Sequence, residues 1–263
     1  MHTCRKSNLF LHGAALLAAL MPLVLATAAN SNAQVTEDLH RTVPLASSGR
    51  ISLENINGNV TVTGWERNEV QIDAVKKARD QQKLDQARIE VDASSDSVSI
   101  KTRYPEGHNN NNPATVTYEL HVPRLARLDH FNLVNGSLEV SQVKGDIDAN
   151  LVNGKTDLHD LSGRLNISAV NGTITANYRS LDNVKDIHLK SVNGAINLGL
   201  PASPNAEVSA STVNGGITTD FPLQVKGKFM GHRVDGTLGN GGTHIELSNV
   251  NGSIRIGPGL GNL

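Results

Sequence analysis

Cysteine is nearly absent from this sequence: Cys4 is the only one in 263 residues, and it sits in the basic start of the chain. Loss of that start leaves no thiol, which excludes disulfides and thiolate metal sites. No apolar, small-residue box precedes Cys4, so it lacks the context for lipid attachment. Aromatic residues make up 3% of the chain, too few for an aromatic core. An excess of one charge is missing as well. There are 24 basic and 25 acidic residues, and removing Arg5 and Lys6 leaves 22 against 25. Such a balance gives no support for nucleic acid or anionic lipid as a partner. Stability must therefore come from aliphatic burial and backbone pairing, even in an oxidising compartment.

What is present begins with a leader. His2, Arg5 and Lys6 precede an apolar run from Leu9 to Ala28, and small residues follow at Ser31-Asn32-Ala33. This is the pattern of a secretory signal peptide over residues 1–33, cleaved after Ala33. An uncleaved anchor is the alternative, because the run is nearly long enough to span a bilayer. Pro22 and the small-residue sites weigh against it, so no stable membrane span is expected after cleavage.

The dominant signal is a repeat. Val-Asn-Gly stands at Val134-Asn135-Gly136, Val152-Asn153-Gly154, Val170-Asn171-Gly172, Val192-Asn193-Gly194, Val213-Asn214-Gly215 and Val250-Asn251-Gly252. Val234-Asp235-Gly236 is a variant, and Ile56-Asn57-Gly58 is an isolated earlier copy. Glycines at 136, 145, 154, 163 and 172 mark a finer nine-residue period, with apolar residues at the second, fourth and seventh places after them. Apolar residues two apart line one face of a short strand. Asn-Gly then supplies the left-handed backbone needed to turn a corner. An antiparallel meander is the competing reading, since Asn-Gly is also a hairpin signal. Regular 18-residue spacing favours a β-solenoid, in which Asn135, Asn153 and Asn171 stack about 4.8 Å apart and share amide hydrogen bonds. The corners at Lys144-Gly145 and Ser162-Gly163 would form a second line on the opposite edge.

Residues 34–130 read as a β-rich N-terminal cap, and residues 131–263 as the solenoid repeats. Half-buried strands are expected over 51–53, 60–62, 70–75, 89–91, 98–100 and 116–122, with a short helix within 80–88. A polar loop runs from His108 to Pro113. Repeat arrays need atypical ends, and this region would cap the first coil.

At this point the chain resembles the bacterial putative-adhesin family, also catalogued as a domain of unknown function. The resemblance rests on Asn57-Gly58-Asn59-Val60-Thr61-Val62-Thr63-Gly64-Trp65, the Val70–Val75 strand, the strand closing at Val122-Pro123, and the later Asn-Gly turns. It covers roughly residues 51–256. It implies an envelope-associated or secreted β-solenoid with no established activity and no catalytic residues to carry over.

Candidate chemistry is sparse. Glu139, Asp148 and Asp157 share the third place after glycine, so Glu139 would stack with Asp157 and Asp148 with Asn166. Two stacked carboxylates can hold a cation or raise one another's pKa. The plainer reading is a solvated strand face, with Lys155 and Arg164 relieving repulsion. Calcium-binding nonapeptide repeats need paired glycines and an aspartate at the turn, and these corners lack them. No HxH, HExxH or Gly-x-Ser-x-Gly pattern occurs, although His121 and His130 have freedom to meet in space. The sequons at Asn59, Asn135, Asn166, Asn171 and Asn251 belong to the repeat grammar. Trp65, at a strand end, is expected to pack the cap.

The sequence therefore points to an all-β, single-chain β-solenoid of Asn-Gly-cornered coils with a β-rich N-terminal cap. It would be exported to the periplasm, the outer cell surface or the medium, and would act as a non-enzymatic structural or adhesin-like binding element. The expected partner is an envelope protein or polymer surface. No catalytic, metal or cofactor-binding residues are assigned. A polysaccharide-active enzyme or cation-dependent carbohydrate binder on the same coil is the alternative.

Overall fold

The computed structural model describes residues 34–105, 114–223, 225–226 and 231–259. The leader and the His108–Pro113 loop lie outside the described residues. The chain opens with β1 (Val35–Pro44), β2 (Arg50–Asn57), β3 (Val60–Trp65) and β4 (Glu69–Ala78), followed by the short helix α1 (Gln81–Gln86). Asp80 caps this helix by accepting the Lys83 backbone N–H at 2.8 Å, which satisfies one of its unpaired first-turn donors. Next come β5 (Arg88–Ala93), β6 (Ser97–Arg103) and β7 (Thr115–Pro123). The repeats supply β8 (Arg127–Asn135), β9 (Leu138–Ser141), β10 (Ile147–Asn153), β11 (Thr156–Leu161), β12 (Leu165–Asn171), β13 (Ile174–Tyr178), β14 (Asp186–Asn193) and β15 (Ile196–Leu200). The last part holds β16 (Ala206–Asn214), β17 (Ile217–Thr219), β18 (Val225–Lys226), β19 (His232–Leu238), β20 (Thr243–Asn251) and β21 (Ile254–Pro258).

These strands form two facing sheets. The first runs β1-β4-β7-β3-β9-β11-β13-β15-β21-β17, and the second runs β18-β19-β16-β20-β14-β12-β10-β8-β2-β6-β5. Each coil gives one strand to the second sheet, turns at Asn-Gly, and gives one strand to the first. Parallel pairing of Ile147 with Leu165 and of Thr156 with Leu138 fixes a full turn at 18 residues in the regular coils. The sequence expectation of a stacked solenoid holds, and the meander does not. Four extra residues around Leu181–Val184 enlarge one far corner, which is why the repeat there lengthens and Arg179 breaks the apolar pattern.

Corner asparagines form one continuous ladder. Asn135 Nδ2 donates to Asn57 Oδ1 at 3.0 Å, Asn153 to Asn135 at 2.9 Å, and Asn171 to Asn153 at 2.8 Å. Asn193 donates to Asn171, Asn251 to Asn193, and Asn214 to Asn251, all at 2.8–2.9 Å. A primary amide suits this because it carries both donor and acceptor. Two features depart from the sequence reading. First, the Ile56-Asn57-Gly58 copy is not isolated: β2 pairs with β8 and β3 with β9. Residues 50–65 therefore form a level of the stack, within the stretch read as cap. Second, the last coil of the chain is not the last level. β20 and β21 insert between β14/β15 and β16/β17.

Val234-Asp235-Gly236 is no corner. It lies inside β19, which pairs antiparallel with β16. A carboxylate has no N–H to donate, so Asp235 cannot continue an amide ladder. The two ends of the stack are built differently. At one end β6 and β7 lie outside β2 and β3, although they follow them in sequence. At the other end β19 covers the outer edge of β16. Antiparallel strands lie outermost at three of the four sheet ends, β1, β5 and β18, whereas β17, parallel to β21, is outermost at the fourth.

The core is thin and aliphatic, as the composition implies. Leu128, Phe131, Leu133, Ile147, Leu151, Leu165, Ile167, Ile187, Leu189, Ile245 and Leu247 from the second sheet face Val60, Val62, Leu138, Val140, Leu158, Ile174, Ile196, Leu198, Ile254 and Ile256 from the first. Polar groups enter it beside the Asn-Gly corners. Asn55 Nδ2 donates to the Val116 carbonyl at 2.8 Å, Asn249 Nδ2 to Gly194 O at 2.7 Å, and Thr212 Oγ1 to Gly252 O at 3.1 Å. The last two bonds tie a corner carbonyl of the neighbouring level to an inward side chain, and the first ties Asn55 to the β7 backbone.

Candidate functional sites on the outer faces

Alternation in each strand sends every second side chain outward, so the stack presents two flat faces and two edges. On the first sheet one outward row reads Glu119, Thr61, Glu139, Asp157, Thr175, Asn197 and Arg255. Glu139 and Asp157 are in register, as the sequence spacing requires. Asp148 lies beside Asn166, whose Nδ2 donates to it at 2.6 Å. Arg164 serves a different carboxylate from the expected ones: its Nε is 3.7 Å from Asp146. Threonine bounds the Glu139–Asp157 pair on both sides. Among the described residues no group of three His, Cys, Asp or Glu side chains is placed to hold a metal ion.

A denser polar cluster lies where β1, β4, β7 and β3 meet. Trp65 packs against residues of the N-terminal region, as expected, but on its outer surface. It is half-buried on the outward side, with its ring centroid 5.3 Å from that of His121 and the Arg67 guanidinium 4.9 Å from the ring. Its indole N–H donates to the Glu69 carbonyl at 2.9 Å. Asp73 accepts from Gln71 at 2.6 Å and pairs with His40. Burial raises the Asp73 pKa, but the His40 and Gln71 hydrogen bonds and the histidine charges outweigh it, holding the carboxyl below its usual value. The cluster has aromatic, acidic and amide groups on a flat surface, yet it shows no nucleophile held by a base.

His121 and His130 are not brought together: His121 stacks on Trp65, and His130 pairs with Asp129 at 2.7 Å. The structure instead gathers His188 and His244, whose ring centroids are 5.8 Å apart, with Glu246 3.2 Å from His188. Sequence spacing misses this pair because β20 is inserted next to β14. A cleft of about 490 Å³ beside α1 is lined by Gln82, Asp85, Arg88, Glu90, Arg103 and Tyr104. Its charges are mixed, and it too lacks a paired nucleophile and base.

All three tyrosines are tied down. Tyr104 donates to the Ala114 carbonyl at 2.8 Å, Tyr178 to Gly163 O at 3.0 Å, and Tyr118 shares a 2.7 Å hydrogen bond with Thr102. Burial pushes Tyr104 and Tyr118 up to about 12 and raises Tyr178 further. Raised folded-state pKa values contribute stability that is complete below the unfolded value near 10 and is lost as pH rises toward 12. Phenolate absorbance should therefore stay absent through pH 10 and then appear together with loss of the β signal in circular dichroism. A phenol titrating alone near pH 10, with the fold intact, would contradict this.

The profile of a family described as Toastrack DUF4097 matches residues 42–257, most of the chain. The chain belongs to that family. The resemblance noted on Asn57–Trp65 and the Asn-Gly turns lies within the matched span. Three solved structures are similar to this chain. One is a "putative cell adhesion protein" from Clostridium sporogenes, 14% identical, covering 85% of this chain and 100% of that one, with a TM-score of 0.48. Another is a "Putative lipid binding protein" from Parabacteroides distasonis, 10% identical, covering 83% and 96%, with a TM-score of 0.34. The third is a "putative adhesin" from Bacteroides fragilis, 11% identical, covering 84% and 97%, with a TM-score of 0.29. No curated protein matches. Among the described residues no helix is long and apolar enough to cross a membrane.

Proposed function

We propose that this Toastrack chain is an exported, non-enzymatic binding element of the cell envelope, released from its leader after Ala33. One observation carries the reading: the described body offers flat, ladder-like polar faces, while its clefts and clusters lack a convergent catalytic arrangement. Flat faces suit contact with an envelope protein or polymer, whereas small-molecule sites are concave and mostly apolar. A carbohydrate-binding variant of this reading is favoured by the outward Trp65 with its His121 and Arg67 neighbours, because aromatic faces with polar rims suit sugars. One experiment separates the two. The mature chain, beginning at Gln34, is immobilised and used to capture material from envelope extract, with and without chelator, beside Trp65→Ala. Retention of a specific envelope component, unchanged by chelator and by Trp65→Ala, is the expected result. Loss of retention in Trp65→Ala or in chelator supports the carbohydrate reading. Absence of any retained component contradicts both.

A further inference from the structure

Seven large apolar side chains are exposed among the described residues, and six of them stand in a single line: Ile56, Val134, Val152, Val170, Val250 and Val213. Each directly precedes a ladder asparagine, and the half-buried Val192 fills the missing rung. Because the asparagines pair in register from Asn57 to Asn214, the row runs unbroken across seven levels. At about 4.8 Å per level it is roughly 29 Å long. The burial pattern of β10 and β12 is regular up to this point, and that of β8 is regular from Phe131 onward, alternating inward Leu133, Leu151 and Ala169 with outward Val134, Val152 and Val170. Hydropathy alone does not place valine here. The outward position tolerates serine, lysine or asparagine two residues earlier, at Ser168, Lys190 and Asn132.

We propose that this row is the seam of a dimer and is covered by the same row of a second copy of this chain. Three features select that occupant. The row repeats at the strand spacing, and an identical row has the same period, so valines of one copy fit between valines of the other as in a dry zipper. The outward face of the second sheet, seven strands by about seven residues, spans on the order of 30 by 23 Å. That is close to the roughly 800 Å² per partner that a stable complex buries. Charge also permits self-contact: the row next to the valines is mostly Asn132, Asn150, Ser168, Ser248 and Ser211, with Glu54 and Lys190 as the charged members, and in the row beyond it Asp148 already accepts from Asn166 and Glu246 lies 3.2 Å from His188. A twofold axis is the usual relation between two copies, and with the rows running in opposite directions it brings the central Val170 of each copy together.

The proposal is tested by sedimentation of the mature chain and by single-cysteine cross-linking, which is clean because residues 34–263 contain no thiol. The expected results are a dimer for the unsubstituted chain and at least tenfold weaker association for Val152→Lys/Val170→Lys. The thermal melt of the dilute protein should stay unchanged, since both side chains already face solvent. Val170→Cys should join to itself through a short bis-maleimide, while Thr175→Cys, on the outer face of the other sheet, should not. If the double lysine variant fails to fold, Val170→Ser and the cross-link still decide. A monomer at every soluble concentration overturns the proposal, as does equal cross-linking at Thr175. A monomer whose valine row is protected only when envelope polymer is added assigns the row to the polymer and also overturns it.

Discussion

Gly154→Ala should lower stability by roughly 3 to 5 kcal/mol, the sum of a left-handed backbone forced on a residue with a Cβ and overpacking. Gly154 has φ +153°, and a Cβ there would lie 2.0 Å from the Gly136 carbonyl oxygen. The obstacle is backbone, so no side-chain rotation relieves it. It cannot retreat either, because the same levels are joined by the Gly136 N–H to Asn153 O bond at 2.9 Å and by the amide ladder. The geometry repeats at Gly172, Gly194 and Gly252, each facing the glycine carbonyl of the neighbouring level at 1.8–2.0 Å. Glycine here is a condition for stacking at strand spacing. Gly216→Ala is the control: its Cβ would meet nothing within 4 Å, so the change should be neutral or slightly stabilising, as loss of unfolded-state freedom predicts. Urea melts of the two variants beside the parent measure the difference. A Gly154→Ala variant as stable as Gly216→Ala would mean that the corners do not lie this close.

The second large effect separates a turn of 18 residues from one of nine. Deleting residues 136–153 removes one whole level: Asn135 then precedes Gly154, the corner is recreated, and later strands keep their sheets. Repeat arrays are nearly additive in their units, so the loss is one level's share of burial and interface. Deleting residues 145–153 also keeps the local glycine and apolar spacing. It removes the second-sheet strand β10 alone, so β11 would have to serve as the second-sheet strand of its level. Every following strand would then belong to the wrong sheet, and Asn171 would lose its place in the ladder. The shorter deletion is therefore expected to be the more damaging in a chemical melt. Equal stability, or a worse outcome for the longer deletion, would contradict the 18-residue turn.

The regular coils were legible because their two periods coincide: apolar residues two apart set the inward face, and Asn-Gly every 18 residues sets the corner. Glu139 beside Asp157 and Asp148 beside Asn166 follow from that arithmetic alone. The level order at the ends was not legible, because strand pairing leaves no local mark when the partners are far apart in sequence. Asn57 meets Asn135 across 78 residues, and Asn251 meets Asn193 across 58. One signal was available: Asp at position 235 lacks the donor that a ladder needs, which already set Val234-Asp235-Gly236 apart from the corners. Trp65 was legible as a residue packing the N-terminal region, but its outward side follows only from the strand's parity, which turns it toward His121 and Arg67. The exposed valine row was present in every Val-Asn-Gly, but its outward direction follows only once the corner's position in the pleat is known.

The order of the levels underlies the ladder, the outer faces and the valine row alike, and a pair of cysteines reads it directly. In the thiol-free mature chain, Asn193→Cys/Asn251→Cys places the two residues on paired strands in register. Their separation of about 4.8 Å is within the Cα range of a disulfide. Asn193→Cys/Asn214→Cys places them two levels apart, about 9.6 Å and beyond that range. Under mild oxidation the account predicts an intramolecular disulfide in the 193/251 variant and free thiols in the 193/214 variant. A disulfide in 193/214 with free thiols in 193/251 would mean that the coils stack in sequence order, and would contradict it.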